Sequence, residues 1–161
     1  MNSDVQNAFD RLHKSIGEVT TIRIGRVSGR DFQKFAFAVG HLDARYVDAS
    51  IDSAEAPPIY LSAVMGWQPG PAEHALRADG SEPQATGGLE LDGLRLMGAG
   101  QELEFHKAVR DGMELWSQTS IDSLELKHGR TGDMILIRLR RRYIDQADEA
   151  VVSCLETVIA R

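Results

Sequence analysis

The last sixty or so residues constrain the fold most. Four runs, QELEFHKAV (101–109), MELWSQTSIDSLELK (113–127), DMILIRLRRRYI (133–144) and EAVVSCLETVIA (149–160), are strand-like in composition and alternation. A period of two marks strands with one buried face. The gaps RDG, HGRTG and DQAD are short turn sequences, so neighbouring runs are predicted to pair antiparallel. Runs of about a dozen residues exceed the common strand length. Long strands bend, and a bent sheet needs something to wrap.

APPIYLSAVMGW, residues 56–67, is the obvious candidate. Ile59, Tyr60, Leu61, Ala63, Val64, Met65 and Trp67 leave almost no polar face, and a helix apolar all round is buried all round. A fully buried strand is the competing reading of so short a run. Pro57 and Pro58 suit a first helical turn, where the missing N–H groups would lack partners anyway. The expected architecture is α+β: one domain over residues 1–161, with a curved antiparallel sheet wrapped around a central apolar helix.

Upstream, Val5, Phe9 and Leu12 predict a short helix over 5–14, and VTTIRIGRV predicts a strand over 19–27. Ser28 can cap a second helix, with Asp31 in its first turn and Phe32, Phe35, Ala36 and Val39 at helical spacing. Gly40 is its natural stop. Residues 68–88, rich in Gly and Pro, predict a long mobile loop.

Lys plus Arg total 18 against 24 Asp plus Glu, a formal charge of −6, which argues against nucleic acid as a partner. No apolar run is long enough to span a bilayer, and MNSDVQNAFDRLHK lacks a signal-peptide core. The single cysteine, Cys154, excludes an internal disulfide and suits a reducing compartment, so the chain is expected in the cytoplasm. No Walker loop, dinucleotide fingerprint, serine-nucleophile elbow or paired-cysteine zinc motif is present.

Three constellations carry possible chemistry. Glu102, Glu104 and His106 alternate on one strand face; a solvated face explains them better than a metal site, which usually needs a further ligand placed by the fold. Arg138, Arg140 and Arg142 share a strand face and suit either phosphate recognition or protection of a sheet edge. His41, Asp43, Arg45, Tyr46 and Asp48 follow Gly40 in a polar stretch that is either a site or only a loop at a helix end.

The stretches DFQKFAFAVGHLDARYVD, APPIYL, LMGAGQELEFHKAVRDGMEL and YIDQADEAVVSCLETVIAR, in that order and joined by GRTGDMILI, cover most of residues 26–161. They resemble the N-terminal domain family of MaoC-like dehydratases, a branch of the hot-dog fold. The resemblance implies a hot-dog domain that pairs with a second one and handles acyl thioesters of coenzyme A or acyl carrier protein. The typical reaction is reversible hydration of a trans-2-enoyl thioester to an R-3-hydroxyacyl thioester. No cofactor is implied beyond the carrier of the substrate.

Catalytic relatives carry a pattern like G-D-x-N-P-x-H after the first long helix. Hydration needs one group to take a proton from water and another to protonate the α carbon, work that an Asp and a His can share. Aligned on Gly40, this chain places His41 at the Asp position, Asp43 at the Asn position, Ala44 at the Pro position and Tyr46 at the His position. A phenol with an ordinary pKa near 10 is a poor base at neutral pH. The resemblance is therefore to a non-catalytic half, and the preferred reading is a substrate-shaping subunit paired with a catalytic hot-dog subunit.

Alternatives remain. His41 and Asp43 could act as a swapped pair in a self-sufficient homodimeric hydratase. Glu55, just before Pro57, could serve a thioesterase. The chain could also bind acyl thioesters without chemistry. Candidate substrate-binding residues are Tyr46, Pro57, Pro58, Tyr60, Arg140 and Arg142.

Overall fold

The computed structural model describes residues 3–48, 50, 52–63, 71–76, 80, 89, 91, 93–130 and 132–161. Helix α1 spans Ser3–Lys14, strand β1 Thr20–Arg26, helix α2 Gly29–Ala38, and the one-turn helices α3 and α4 Ala44–Val47 and Tyr60–Ala63. Strands β2 (Leu96–Phe105), β3 (Glu114–Gly129), β4 (Gly132–Asp145) and β5 (Ala150–Ala160) complete it. They form one antiparallel five-stranded sheet in the order β1-β3-β4-β5-β2. Among the described residues no helix is long and apolar enough to cross a membrane.

The alternation read from sequence is the alternation buried. On β4, Ile135, Ile137, Leu139, Arg141 and Tyr143 face inward, while Arg138, Arg140 and Arg142 face out. The inward residues build two apolar clusters. One places Val5, Ala8 and Leu12 of α1 against Leu91, Leu94, Ile121, Ile135, Ile137 and Val158. The other joins Val27, Phe32, Ala56, Tyr60 and Leu61 to Leu115, Tyr143, Val151 and Val152. α1 thus covers one end of the inner sheet face, and α2 with the 54–61 segment covers the other. Of the central helix expected over 56–67, Tyr60–Ala63 is helical, and 64–67 lie outside the described residues. The predicted loop 68–88 also falls largely outside them; within it, Glu73–Ala75 makes a 3-10 turn.

Two local expectations are corrected. RDG does not join a hairpin: β2 is the sheet edge beside β5, and β3 lies between β1 and β4. The chain leaves β2 after Phe105 and crosses to the far side of the sheet. Backbone bonds hold it on the way: Ala56 N–H donates to Val109 C=O (2.8 Å), Gly112 N–H to Val27 C=O (3.0 Å), and Val27 N–H to Met113 C=O (2.8 Å). Gly112, at φ 77°, makes the corner that glycine allows most cheaply. The strand assigned to 101–109 therefore begins earlier, at Leu96, and ends at Phe105. Glycines at 98 and 100 flank a bulge in β2 and mask its strand pattern.

The second correction concerns the α2 cap. Ser28 occupies the cap position with extended backbone, but its side chain makes no capping bond. Asp111, on the crossover, accepts from Gly29 N–H at 2.6 Å instead. A carboxylate at this helix end also meets the positive end of the helix dipole.

Candidate functional site

α2 ends where expected. Gly40 adopts φ 72°, and His41 N–H donates back to Ala36 C=O (2.9 Å), closing a glycine-terminated helix end. The chain then turns through His41–Asp43 into α3. Asp43 caps α3 by accepting from Arg45 N–H (3.1 Å), and its other oxygen takes the Arg45 guanidinium at 3.1 and 3.0 Å. The Arg45 backbone N–H first, then its guanidinium and the His41 ring, hold the Asp43 carboxyl below its ordinary value. The His41 ring lies 4.8 Å from the Tyr46 ring, and the Arg45 guanidinium carbon sits 4.8 Å over that same ring. Tyr46 is buried, whereas His41 is exposed. Imidazole and guanidinium thus both adjoin the phenol ring, with the two rings tilted by 47°, and the carboxylate turns to the arginine.

Beside this group opens a cleft of about 260 Å³. Arg45, Tyr46, Glu55, Pro57 and Pro58 line it together with Phe105, His106, Lys107, Val109 and Val152. It lies where β2 ends and the crossover begins, so the sheet edge itself forms part of its rim. Its chemistry is mixed. Glu55 forms an ion pair with Arg110 (2.5 Å), whose guanidinium also reaches Ser53 C=O (3.3 Å). Lys107 Nζ bridges Asp145 (2.5 Å) and Glu149 (2.7 Å), whose carboxylates hold the ammonium above its ordinary value. His106 Nε2 is 2.9 Å from Ser153 Oγ, and Nδ1 is 3.9 Å from Glu104.

Tyr46, Pro57 and Pro58 thus line the cleft, as do Glu55, Arg45 and His106, whereas Tyr60, Arg140, Arg142, His41 and Asp43 lie outside its lining. His41 and Asp43 adjoin lining residues, His41 at the Tyr46 ring and Asp43 at Arg45, without lining the cleft themselves. Tyr60 is buried between Phe32 and Phe35, with ring centroids 6.0 and 5.5 Å away, because a large aromatic at the start of an apolar run packs inward. Burial pushes its phenol up to about 12. Arg140 and Arg142 are on the outer face of the sheet, and Arg140 holds Asp122 across a bulge in β3 (3.0 and 2.5 Å). Glu102 and Glu104 share that outer face; among the described residues no group of three or more His, Cys, Asp or Glu side chains is placed to hold a metal. Cys154 is buried, and its thiol is raised by that burial, the usual state of a structural cysteine. The sequence does not mark Phe105 and Lys107 as cleft residues; HKAV reads as strand, and no local signal marks a crossover.

A curved antiparallel sheet with helices on its inner face, and a cleft at one sheet edge, define a hot-dog domain. The family described as FAS1-like, dehydratase domain region matches residues 14–154, and the chain belongs to it. No curated protein matches the sequence. Among solved structures, the chain is similar to the MaoC-like dehydratase from Rhodospirillum rubrum (21% identity, TM-score 0.61, covering 89% of this chain and 90% of that one). It is also similar to a chain of the ChsH1-ChsH2 complex from Mycobacterium tuberculosis (16%, 0.66, 98% and 90%). A third is the R-hydratase PhaJ1 from Pseudomonas aeruginosa (18%, 0.58, 90% and 81%). At these identities the likeness is one of fold.

Proposed function

We propose that this chain is the non-catalytic, substrate-shaping subunit of a hetero-oligomeric enoyl-thioester hydratase, working in the cytoplasm on acyl groups carried by coenzyme A or acyl carrier protein. One observation carries the reading. In the stretch aligned with the catalytic pattern of the resembled family, His41 stands at the Asp position and Tyr46 at the His position, while the nearby carboxylate, Asp43, is engaged by Arg45 and by the cap of α3. A carboxylate held below its ordinary value by the Arg45 backbone N–H, and then by its guanidinium, is a weaker base, and a buried phenol is a poor one. The catalytic Asp and His come from a second hot-dog subunit. This chain supplies the wall formed by Tyr46, Pro57, Pro58, Phe105 and Val152, and needs no cofactor beyond the carrier.

Pro57 and Pro58 support the same assignment. Each lacks an N–H at the entrance to α4, and Tyr60 N–H donates to Pro57 C=O (2.9 Å), so these groups are not available to an oxyanion. Assembly with a second protein has precedent among structures of like fold, which include the ChsH1-ChsH2 complex and the HadBC (3R-hydroxyacyl-ACP dehydratase) complex of Mycobacterium tuberculosis.

The test is an assay of the purified chain with crotonyl and longer enoyl thioesters, alone and with a catalytic hot-dog subunit. The chain alone is inactive, and adding the partner yields turnover. Replacing His41 with Ala in the assembled enzyme leaves kcat within about a factor of two, because an exposed group off the reaction path contributes little. Hydration or thioester hydrolysis by the chain alone would overturn the reading and point to Glu55 or the His41–Asp43 pair.

A further inference from the structure

The outer face of the sheet sorts its charges into columns. Register across β2, β5 and β4 sets Glu102, Leu155 and Arg140 on one rung, and Glu104, Ser153 and Arg142 on the next. Arg138 continues the basic column beside Thr157. All these charged side chains are exposed, Arg140 by 54% and Glu104 by 77% of its side chain. Arg138 and Arg142 form no salt bridge among the described residues; Arg140 holds Asp122 on the β3 side, and its exposed half stays open toward a facing surface. An acidic column on the edge strand thus runs parallel to a basic column two strands away, with uncharged Ser153, Leu155 and Thr157 between them.

That pattern complements itself. A two-fold axis laid along β5 exchanges left and right but keeps height along the strand. It places Arg140 over Glu102 of a second copy and Arg142 over its Glu104, and by symmetry repeats both pairs. Leu155 of each copy meets at the axis. Stacked sheets lie about 10 Å apart, a gap that an arginine and a glutamate bridge end to end. Aligned sheet packing, within about 30°, keeps the central rungs in register. An acidic partner of another kind would meet the Arg column but be repelled by Glu102 and Glu104, roughly 10 Å away.

We propose that the outer sheet face is a self-association surface, on which a second copy of this chain docks back to back through the Arg140–Glu102 and Arg142–Glu104 pairs. Three strands of each copy overlap, an area on the order of 500 Å² per copy from strand spacing and rise. The contact therefore belongs to the weak, transient class of interfaces. This surface is separate from the cleft, so it does not depend on the functional reading given above.

A charge-swap cycle tests it. The wild-type chain, the variant Arg140→Glu/Arg142→Glu, the variant Glu102→Arg/Glu104→Arg and an equimolar mixture of the two variants are compared by sedimentation velocity. Circular dichroism confirms that each is folded. In moderate salt the wild type shows one association step beyond whatever species either variant forms. The mixture recovers that step, since an all-acidic face then meets an all-basic one. In molar salt, where the screening length is about 3 Å, association weakens by about tenfold or more. A wild type that sediments like the variants, or a mixture no larger than its components, overturns the proposal.

Discussion

Asp43 and Asp111 show how one residue type takes its role from its neighbours. Asp43 looks like a reactive carboxylate in sequence; in the fold it caps a single helical turn and holds Arg45. Asp111 looks like a turn residue; in the fold it accepts from Gly29 N–H at the start of α2. Losing a helix cap costs about 0.5–2 kcal/mol. Replacing Asp111 with Ala is therefore expected to destabilise the protein by about 1 kcal/mol. Replacing Ser28, whose side chain makes no capping bond, is expected to cost less. Urea unfolding of the two variants measures the difference, and a larger loss at Ser28 would contradict the assignment.

At the scale of elements, the β4–β5 turn carries a pH-sensitive clasp. Asp145, almost wholly buried, accepts from Lys107 Nζ and from the N–H groups of Ala147 (2.9 Å) and Glu149 (3.1 Å). Asp148 in the same turn holds φ 60°, a conformation that Asp tolerates better than most residues. Lys107 chiefly, then the turn amides, hold the Asp145 carboxyl below its ordinary value. A carboxyl lowered on folding stabilises the native state above its unfolded pKa, near 3.9, and loses that contribution as pH falls through the lower folded value. Lys107→Met removes the main cause of the lowering. Its acid-unfolding midpoint should move to higher pH than that of the wild type, read by tryptophan fluorescence between pH 2 and 5. An unchanged midpoint would show that the clasp is immaterial. Lys107 also walls the cleft, so the crossover strut and the site share a residue.

Across the whole molecule, two apolar clusters hold the sheet from opposite ends, and each is built from segments far apart in the chain. Leu12 is buried in one cluster with Ile121, Ile135, Ile137 and Val158. Truncating a buried leucine costs about 2–5 kcal/mol, so Leu12→Ala should lower stability by that much in denaturant titration. A loss under about 1 kcal/mol would mean that α1 is peripheral to the core. β1 pairs with β3 across 99 residues of chain, Thr20 opposite Thr119, and β2 pairs with β5 rather than with its successor. Such long-range pairing is expected to fold in milliseconds to seconds, slower than a helical bundle of similar size, which stopped-flow refolding would record.

The two-residue alternation of β3, β4 and β5, the helical spacing of α1 and α2, and the glycine stop at Gly40 are local properties. Side-chain period and backbone freedom are written residue by residue, so the sequence alone determined the elements, the inward and outward faces and the α+β class. The order of the strands is not local. It depends on the crossover at 106–113, whose backbone partners Val27 and Ala56 lie tens of residues away, and no nearest-neighbour pattern encodes such a choice. The same is true of the site. Sequence placed His41, Asp43 and Tyr46 on one short stretch, but only the fold decided that Asp43 would turn to Arg45 while Tyr46 joined Phe105, Lys107 and Val152 in lining a cleft. Which carboxylate is free and which is held depends on three-dimensional proximity, because hydrogen bonds and ion pairs act over a few ångströms of space, whatever the separation along the chain.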